Sequence, residues 1–240
     1  MSEHPGTREP APPTVIVDDL HVVYRVHGPG RSRRVHAVRG VSFTAYRGEA
    51  VGIVGSNGSG KSTLLRAVAG VQPPESGAVF TDGQPSLLGV NAALMNDLTG
   101  ERNVVLGGLA MGMTPAQIRA RYQDIVDFAG IDAREPFSTL PMRTYSSGMA
   151  ARLRFSIAAA KEHDVLLIDE ALATGDRAFQ ERSRRRIDEL RARAGTVFLV
   201  SHSSRTIRET CDRALWLEHG RLRADGPVDE VMAEYEASTG

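Results

Sequence analysis

A short apolar run, Ala50 to Val54, leads directly into Gly55-Ser56-Asn57-Gly58-Ser59-Gly60-Lys61-Ser62-Thr63. No other feature constrains the chain as tightly. The stretch fits G-x-x-x-x-G-K-[ST], a pattern that carries meaning only with a strand before it and a helix after it. Both are expected here: Ala50 to Val54 is apolar enough for a strand buried in a parallel sheet, and Lys61 to about Ala69 reads as a helix. The glycines let successive backbone N–H groups converge on phosphate oxygens with no side chain in the way. The helix that starts here adds the positive end of its dipole. Lys61 supplies a cation for β- and γ-phosphates, and Ser62 a hydroxyl for magnesium. Gly55 through Thr63 are therefore the candidate nucleotide-binding residues.

A second constellation is Val165-Leu166-Leu167-Ile168-Asp169-Glu170. Four apolar residues ending in two acids put carboxylates at the C-terminal edge of a buried strand, where open α/β sheets bind ligands. Alone, this pattern equally describes a strand end capped by solvated acids. Beside a phosphate loop, Asp169 becomes a magnesium ligand acting through water, and Glu170 the group that orients and polarises an attacking water.

The rest of the chain alternates in kind. Thr14 to Val17, His21 to Val26, Val41 to Tyr46, Ala78 to Thr81 and Ser86 to Leu88 read as strands, and His27 to Val35 as a Gly/Pro/Arg loop. From about Asn91 to Lys161 the texture turns helical, with Thr114-Pro115 as an N-cap and first helical residue. Then strand Val165–Ile168, helix Arg177–Arg193, strand Thr196–Val200, helix Ser204–Thr210, strand Ala214–Leu217 and a last helix, Val228 to Ala237, follow in turn. Such alternation implies a parallel sheet with right-handed crossovers. Residues 1–13 are polar and proline-rich and read as a disordered tail without the apolar core of a secretory signal.

Composition removes several classes of function. Lys+Arg and Asp+Glu are both 29 among the 240 residues, which argues against a nucleic-acid binder held by a broad basic field. The one cysteine, Cys211, forms no internal disulfide and builds no Cys-rich metal site. Val104 to Met113 is the longest run of apolar residues and glycine, about half what a spanning helix needs. The expected location is the cytoplasm or a cytoplasmic membrane surface.

Tyr145-Ser146-Ser147-Gly148-Met149 is by itself only a helix cap. It lies, however, between the two nucleotide constellations, where ATP-binding cassette proteins carry their signature. With RGVSFTAYRGEAVGIVGSNGSGKSTLL, DLTGERN, YSSGMAARLRFSIAAA and DEALATGD, the chain resembles the ATPase subunits of polysaccharide exporters, which move lipid-linked O-antigen, teichoic acid, capsule or galactan. The resemblance implies an α/β, P-loop NTPase fold of ABC type: a parallel-sheet core with N-terminal antiparallel strands and an inserted helical subdomain. It divides the chain into a nucleotide-binding core with its β-subdomain (14–90 and 162–240) and a helical subdomain with the signature (91–161). It implies ATP and Mg2+ as ligands and ATP hydrolysis coupled to transport, with Lys61, Glu170 and His202 catalytic. It also implies Asp176 as the D-loop aspartate, His202 as a γ-phosphate sensor and Tyr24 as a stack on adenine; an edge-strand core tyrosine is the competing reading of Tyr24. Ser146, Ser147 and Gly148 would act on the nucleotide of a second copy, so the expected partners are a homodimeric copy, a membrane-spanning permease and the lipid-linked glycan it handles, with no nucleic acid.

Two departures stand out. The family's glutamine before the helical subdomain has no counterpart: Gln84 comes too early, and Asn91 is the nearest polar candidate. No carbohydrate-binding domain is expected after the cassette. The expected place of the permease is the helical block, with Val104 to Met113 as a contributor or simply as core. Arg31, Arg33, Arg34 and His36 form either a solvated loop or a face for anionic lipid, Arg184 to Arg186 an exposed helix face, and Cys211 and Trp216 core. The readings left open are another exporter ATPase, for drugs or lipids, and a soluble non-transport cassette ATPase.

Overall fold

The computed structural model describes residues 11–28, 31–88, 94–133, 135–161, 163–169, 177–201 and 203–239. Two sheets carry it. The first has three antiparallel strands in the order β2-β1-β4, formed by β1 (Pro13–Gly28), β2 (Arg31–Tyr46) and β4 (Ser76–Thr81). The second has six strands in the order β5-β6-β7-β3-β8-β9, formed by β5 (Pro85–Leu87), β6 (Val165–Ile168), β7 (Thr196–Val200), β3 (Ala50–Val54), β8 (Arg213–Glu218) and β9 (Arg221–Pro227). The β5-β6-β7-β3-β8 pairs are parallel and β9 is antiparallel to β8.

The parallel strands β3 and β6 are apolar throughout because both faces are covered. On β7, Phe198 and Val200 join the antiparallel strands and α1 (Lys61–Val68) in one core, while Val197 and Leu199 join the helical block in another. On β6, Val165 and Leu167 turn to the first core, and Leu166 and Ile168 to the second. This period of two is what a strand between two layers requires.

Helix α2 (Gly100–Ala110) starts at Thr99, whose hydroxyl accepts the Arg102 N–H. Helix α3 (Pro115–Ala129) has a full capping box between Thr114 and Gln117, proline at its start and left-handed Gly130 at its end. Helix α4 (Ser147–Ala158) follows two short 3-10 turns. Phe128 of α3, Phe155 of α4 and Phe179 of α5 (Arg177–Arg193) form a ring cluster with centroids 5.7–6.0 Å apart. Buried Asn103 ties the entry segment down: its amide donates to the carbonyls of Met95, Leu98 and Thr99, and its oxygen accepts the Met95 N–H. Helix α6 (Ser204–Thr210) and helix α7 (Val228–Thr239) complete the chain, joined by Arg208, which pairs with Asp229 at 2.8 Å and Glu236 at 3.0 Å.

Three expectations change. Within His27 to Val35 the described residues are strand, not loop: the pairing of β1 with β2 runs out to Gly28 and Arg31. Cross-strand pairing outweighs the local glycine and proline content. The tail extends less far than residue 13: the carbonyl of Pro12 accepts the Arg47 N–H at 3.0 Å, and Pro13 pairs with Tyr46. Strand β9 was not expected at all. Cys211 and Trp216 are buried, as read from sequence. Arg186 is only half-exposed, its Nε donating to the Ala159 carbonyl and its Nη1 to Glu189. Arg33, Arg34 and His36 lie exposed along β2, and Arg34 grips Glu75 through both carboxylate oxygens at 2.6 Å. No helix among the described residues is long and apolar enough to cross a membrane.

Candidate functional site

Because β3, β6 and β7 are parallel neighbours, the segments that follow them leave from one edge of the sheet. Those segments are the phosphate loop after Val54, Asp169 after Ile168, and Ser201 after Val200. This edge is the ligand side of an open α/β sheet.

The loop is held in an unusual backbone path. Gly55, Gly58 and Gly60 have φ of 144°, 79° and 107°, conformations that L side chains rarely adopt. A Cβ on Gly55 would strike the Leu217 carbonyl, and one on Gly60 the Ala37 carbonyl, so the surrounding strands leave no room for side chains there. Helix α1 begins at left-handed Gly60 with no side-chain cap. Its first turn therefore points backbone N–H groups out of the helix end. The Lys61 ammonium, 8% exposed, curls over the loop and donates to the carbonyls of Gly55 at 2.7 Å and Ser56 at 2.9 Å. The Ser59 hydroxyl is buried with no hydrogen-bond partner. A buried polar atom left unpaired is costly, and a group bound in the loop would supply the partner.

Further residues complete the surroundings. Tyr24 reaches from β1 so that its hydroxyl stands 3.4 Å from the Thr63 Oγ1 at the start of α1. Asp169 is half-buried at the end of β6. The turn at His219-Gly220 between β8 and β9 was missed from sequence. Its Gly220 N–H donates to the Ser59 carbonyl at 3.0 Å, and the Gly220 carbonyl accepts the Arg39 N–H at 2.8 Å. The only available signal was a His-Gly pair between two short runs of mixed character.

Glu170, Asp176, His202 and Asn91 lie outside the described residues. Gln84 sits at the start of β5, the opposite end of the strand from the ligand edge, and its Oε1 lies beside Gly112. Its position excludes it from the nucleotide edge, as its early place in the sequence indicated.

The Tyr145-to-Met149 segment opens α4. Ser146 caps the helix by accepting the Met149 N–H at 3.2 Å, and Ser146 and Ser147 are exposed. A Cβ on Gly148 would meet nothing of this chain closer than the Ser146 Oγ at 3.9 Å. Tyr145 anchors the segment from below. Its hydroxyl donates to the Phe137 carbonyl at 2.6 Å, and burial pushes its pKa up to about 12. A phenol held this firmly protonated is a structural strut.

The residues present suit a magnesium-bound nucleoside triphosphate: an uncapped helix start, an ammonium over a glycine-lined loop, an orphaned hydroxyl, and a carboxylate at the same sheet edge. Elsewhere the described residues contain no group of three His, Cys, Asp or Glu side chains that could hold a metal.

The family model for ABC transporter matches residues 38–173. The teichoic acids export ATP-binding protein TagH of Lactococcus lactis subsp. lactis (strain IL1403) is 40% identical over 200 residues, covering 83% of this chain and 42% of its own. The O-antigen export system ATP-binding protein RfbB of Myxococcus xanthus is 40% identical over 202 residues, 84% of this chain and 46% of its own. The chain thus spans less than half the length of these two relatives. A solved ATP-binding subunit of an ABC transporter superposes with a TM-score of 0.73 over 93% of both chains at 24% identity. A dimeric ATP-binding cassette bound to ADP and Pi does so with a TM-score of 0.69 over 89% of this chain and 98% of its own, at 21% identity. These two likenesses establish a shared fold. On the family match over residues 38–173 and the 40% identity to these relatives, the chain belongs to the ABC transporter family.

Proposed function

We propose that the chain binds and hydrolyses ATP as the nucleotide-binding subunit of an exporter that moves a lipid-linked polysaccharide across the cytoplasmic membrane. The observation that carries the reading is the glycine-lined loop with Lys61 folded over it and the Ser59 hydroxyl unpaired. The polysaccharide assignment rests on the 40% identity to teichoic acid and O-antigen export ATP-binding proteins.

In this reading the loop N–H groups and Lys61 hold the β- and γ-phosphates in line for cleavage, which needs positioning and charge neutralisation more than covalent chemistry. Ser62 and, through water, Asp169 would hold Mg2+, which neutralises charge on the phosphate oxygens when bound. Glu170 orients the attacking water, His202 senses the γ-phosphate, Asp176 forms the D-loop and Tyr24 offers its ring to adenine. Ser146, Ser147 and Gly148 reach the nucleotide of a second copy, so the active form is a homodimer. Residues 91–161 form the helical subdomain, and the exposed Val105 and Leu109 of α2, beside Tyr122, face the membrane permease. The subunit then sits peripherally on the cytoplasmic face of the membrane, with residues 14–90 and 162–240 as its nucleotide-binding core.

Lys61→Ala tests the assignment directly. Losing a buried charge-assisted contact to phosphate should weaken nucleotide binding roughly 10- to 100-fold, read by titration calorimetry. An unchanged dissociation constant contradicts the loop assignment. Export is tested by copurifying the chain with the permease and measuring ATPase activity with and without lipid-linked glycans; stimulation by drugs or simple lipids alone would reassign the cargo.

A further inference from the structure

Away from the nucleotide edge, α3, α4 and α5 enclose an open cavity of about 420 Å³. Its floor is apolar: Ile125 and Phe128 from α3, and Ala159 and Ala160 just past the end of α4. Its walls carry four arginines, Arg121 from α3 and Arg182, Arg185 and Arg186 from α5, against two acids, Asp124 and Glu189. In a chain with as many acids as bases, this cavity carries a local surplus of two positive charges.

The arginines divide by what they already do. The Arg182 guanidinium lies over the Phe179 ring, 5.8 Å from its centroid. Arg186 is fixed by its bonds to the Ala159 carbonyl and Glu189, so its position is set before anything binds. Arg121 and Arg185 make no ion pair or hydrogen bond with the described residues. Two uncommitted guanidiniums lining one cavity with an apolar floor match a tetrahedral oxyanion carrying an apolar body. Each guanidinium offers a planar fork of donors to phosphate oxygens, and the floor covers the attached carbon group.

We propose that this cavity binds a phosphate monoester bearing an apolar group, with Arg121 and Arg185 gripping the phosphate and Ile125, Phe128 and Ala159 covering the apolar part. Such a ligand can come from a nucleoside monophosphate or from a prenyl-type alkyl phosphate. The site touches none of the nucleotide-loop residues, so it is independent of the function proposed above. Because its walls belong to α3 and α4 on one side and α5 on the other, an occupant ties those helices together.

The test is titration calorimetry of the full chain with four probes: inorganic phosphate, phenyl phosphate, AMP and farnesyl phosphate. The Arg121→Ala/Arg185→Ala double variant and Lys61→Ala are titrated alongside. Phenyl phosphate should bind saturably and roughly tenfold more tightly than inorganic phosphate, the margin expected from covering a small apolar group. The double variant should lose at least tenfold in affinity while its ATP binding and melting midpoint stay unchanged, and Lys61→Ala should bind phenyl phosphate as the wild type does. AMP binding ahead of farnesyl phosphate assigns the nucleotide source, and the reverse order the prenyl source. No saturable binding of any probe, equal affinity for inorganic and phenyl phosphate, or binding lost in Lys61→Ala and kept in the double variant each overturns the proposal. Of these outcomes only the Lys61→Ala reading concerns the phosphate loop, so failure here is separable from failure of the ATPase assignment.

Discussion

Gly55 and Gly148 both belong to short polar motifs, but the chain needs them for different reasons. Gly55 has φ of 144°, and a Cβ there would run into the Leu217 carbonyl. Gly55→Ala should therefore destabilise the fold by about 1–3 kcal/mol, visible as a lower melting midpoint. Gly148 is the second residue of α4 and has open space around its missing Cβ. Within the chain, alanine is the better residue there, by up to about 1 kcal/mol of helix propensity. A glycine that the fold does not require makes sense if something outside the chain comes close to it, and the proposed visitor is the γ-phosphate held by a second copy. Gly148→Ala should melt at or above the wild-type temperature and lose about tenfold or more in ATPase rate, since small misplacements of a reacting group cost that much. Wild-type turnover in a stably folded Gly148→Ala removes the signature from the reaction.

At the scale of elements, the sequence was most readable where one physical term dominates. The bounds of β3 and β6 follow from unbroken apolar runs, and the start of α3 from the Thr114-Pro115 pair. The paired ends of β1 and β2 at Gly28 and Arg31 and strand β9 were unreadable for a shared reason. They are edge or paired strands whose polar side chains face water, so register with a neighbour defines them and no local pattern does. In β9 burial alternates along RLRADGP, but Asp225, Gly226 and Pro227 are poor strand formers taken alone. The strand, glycine-rich turn and helix start of the loop were legible because the pattern sets Gly55, Gly60, Lys61 and Ser62 at fixed spacing, whereas the buttress at Gly220 acts through backbone atoms that any sequence supplies. His163 shows an element-scale coupling of the same hidden kind. It links the end of α4 to the start of β6, with Nε2 donating to the Ala158 carbonyl at 2.9 Å. Burial lowers its pKa from the usual histidine value, ahead of the smaller effects of its neighbours. The unfolded chain therefore binds the proton first as pH drops, and stability present above about pH 6.5 declines below it. His163→Asn keeps an N–H donor without a titrating group, so its urea midpoint should fall less between pH 7.5 and 5.5 than the wild type's. Parallel losses in the two proteins would place the acid sensitivity elsewhere.

The whole molecule has one phosphate loop and one signature segment, and the signature's two serines are exposed at the start of α4. In the proposed dimer a second copy supplies what each nucleotide would otherwise lack, and the assembly would depend on the γ-phosphate because only the triphosphate would reach both surfaces. A ligand shifts such an equilibrium only by its difference in affinity for the open and closed forms. Hydrolysis erases that difference, so closed dimers of the wild type should be transient. Glu170→Gln removes the carboxylate proposed to orient water and keeps the side chain's shape, so it should bind ATP normally, turn over negligibly and accumulate as a dimer. Light scattering on a sizing column should then report a dimer for Glu170→Gln with ATP, and monomers for the same variant with ADP and for the wild type once ATP is spent. Adding Gly148→Ala should abolish the trapped dimer without lowering the melting midpoint, because that change alters the proposed contact and little else. A dimer that forms equally with ADP means that closure does not read the γ-phosphate, and a trapped dimer that survives Gly148→Ala means that the two copies meet through some other surface.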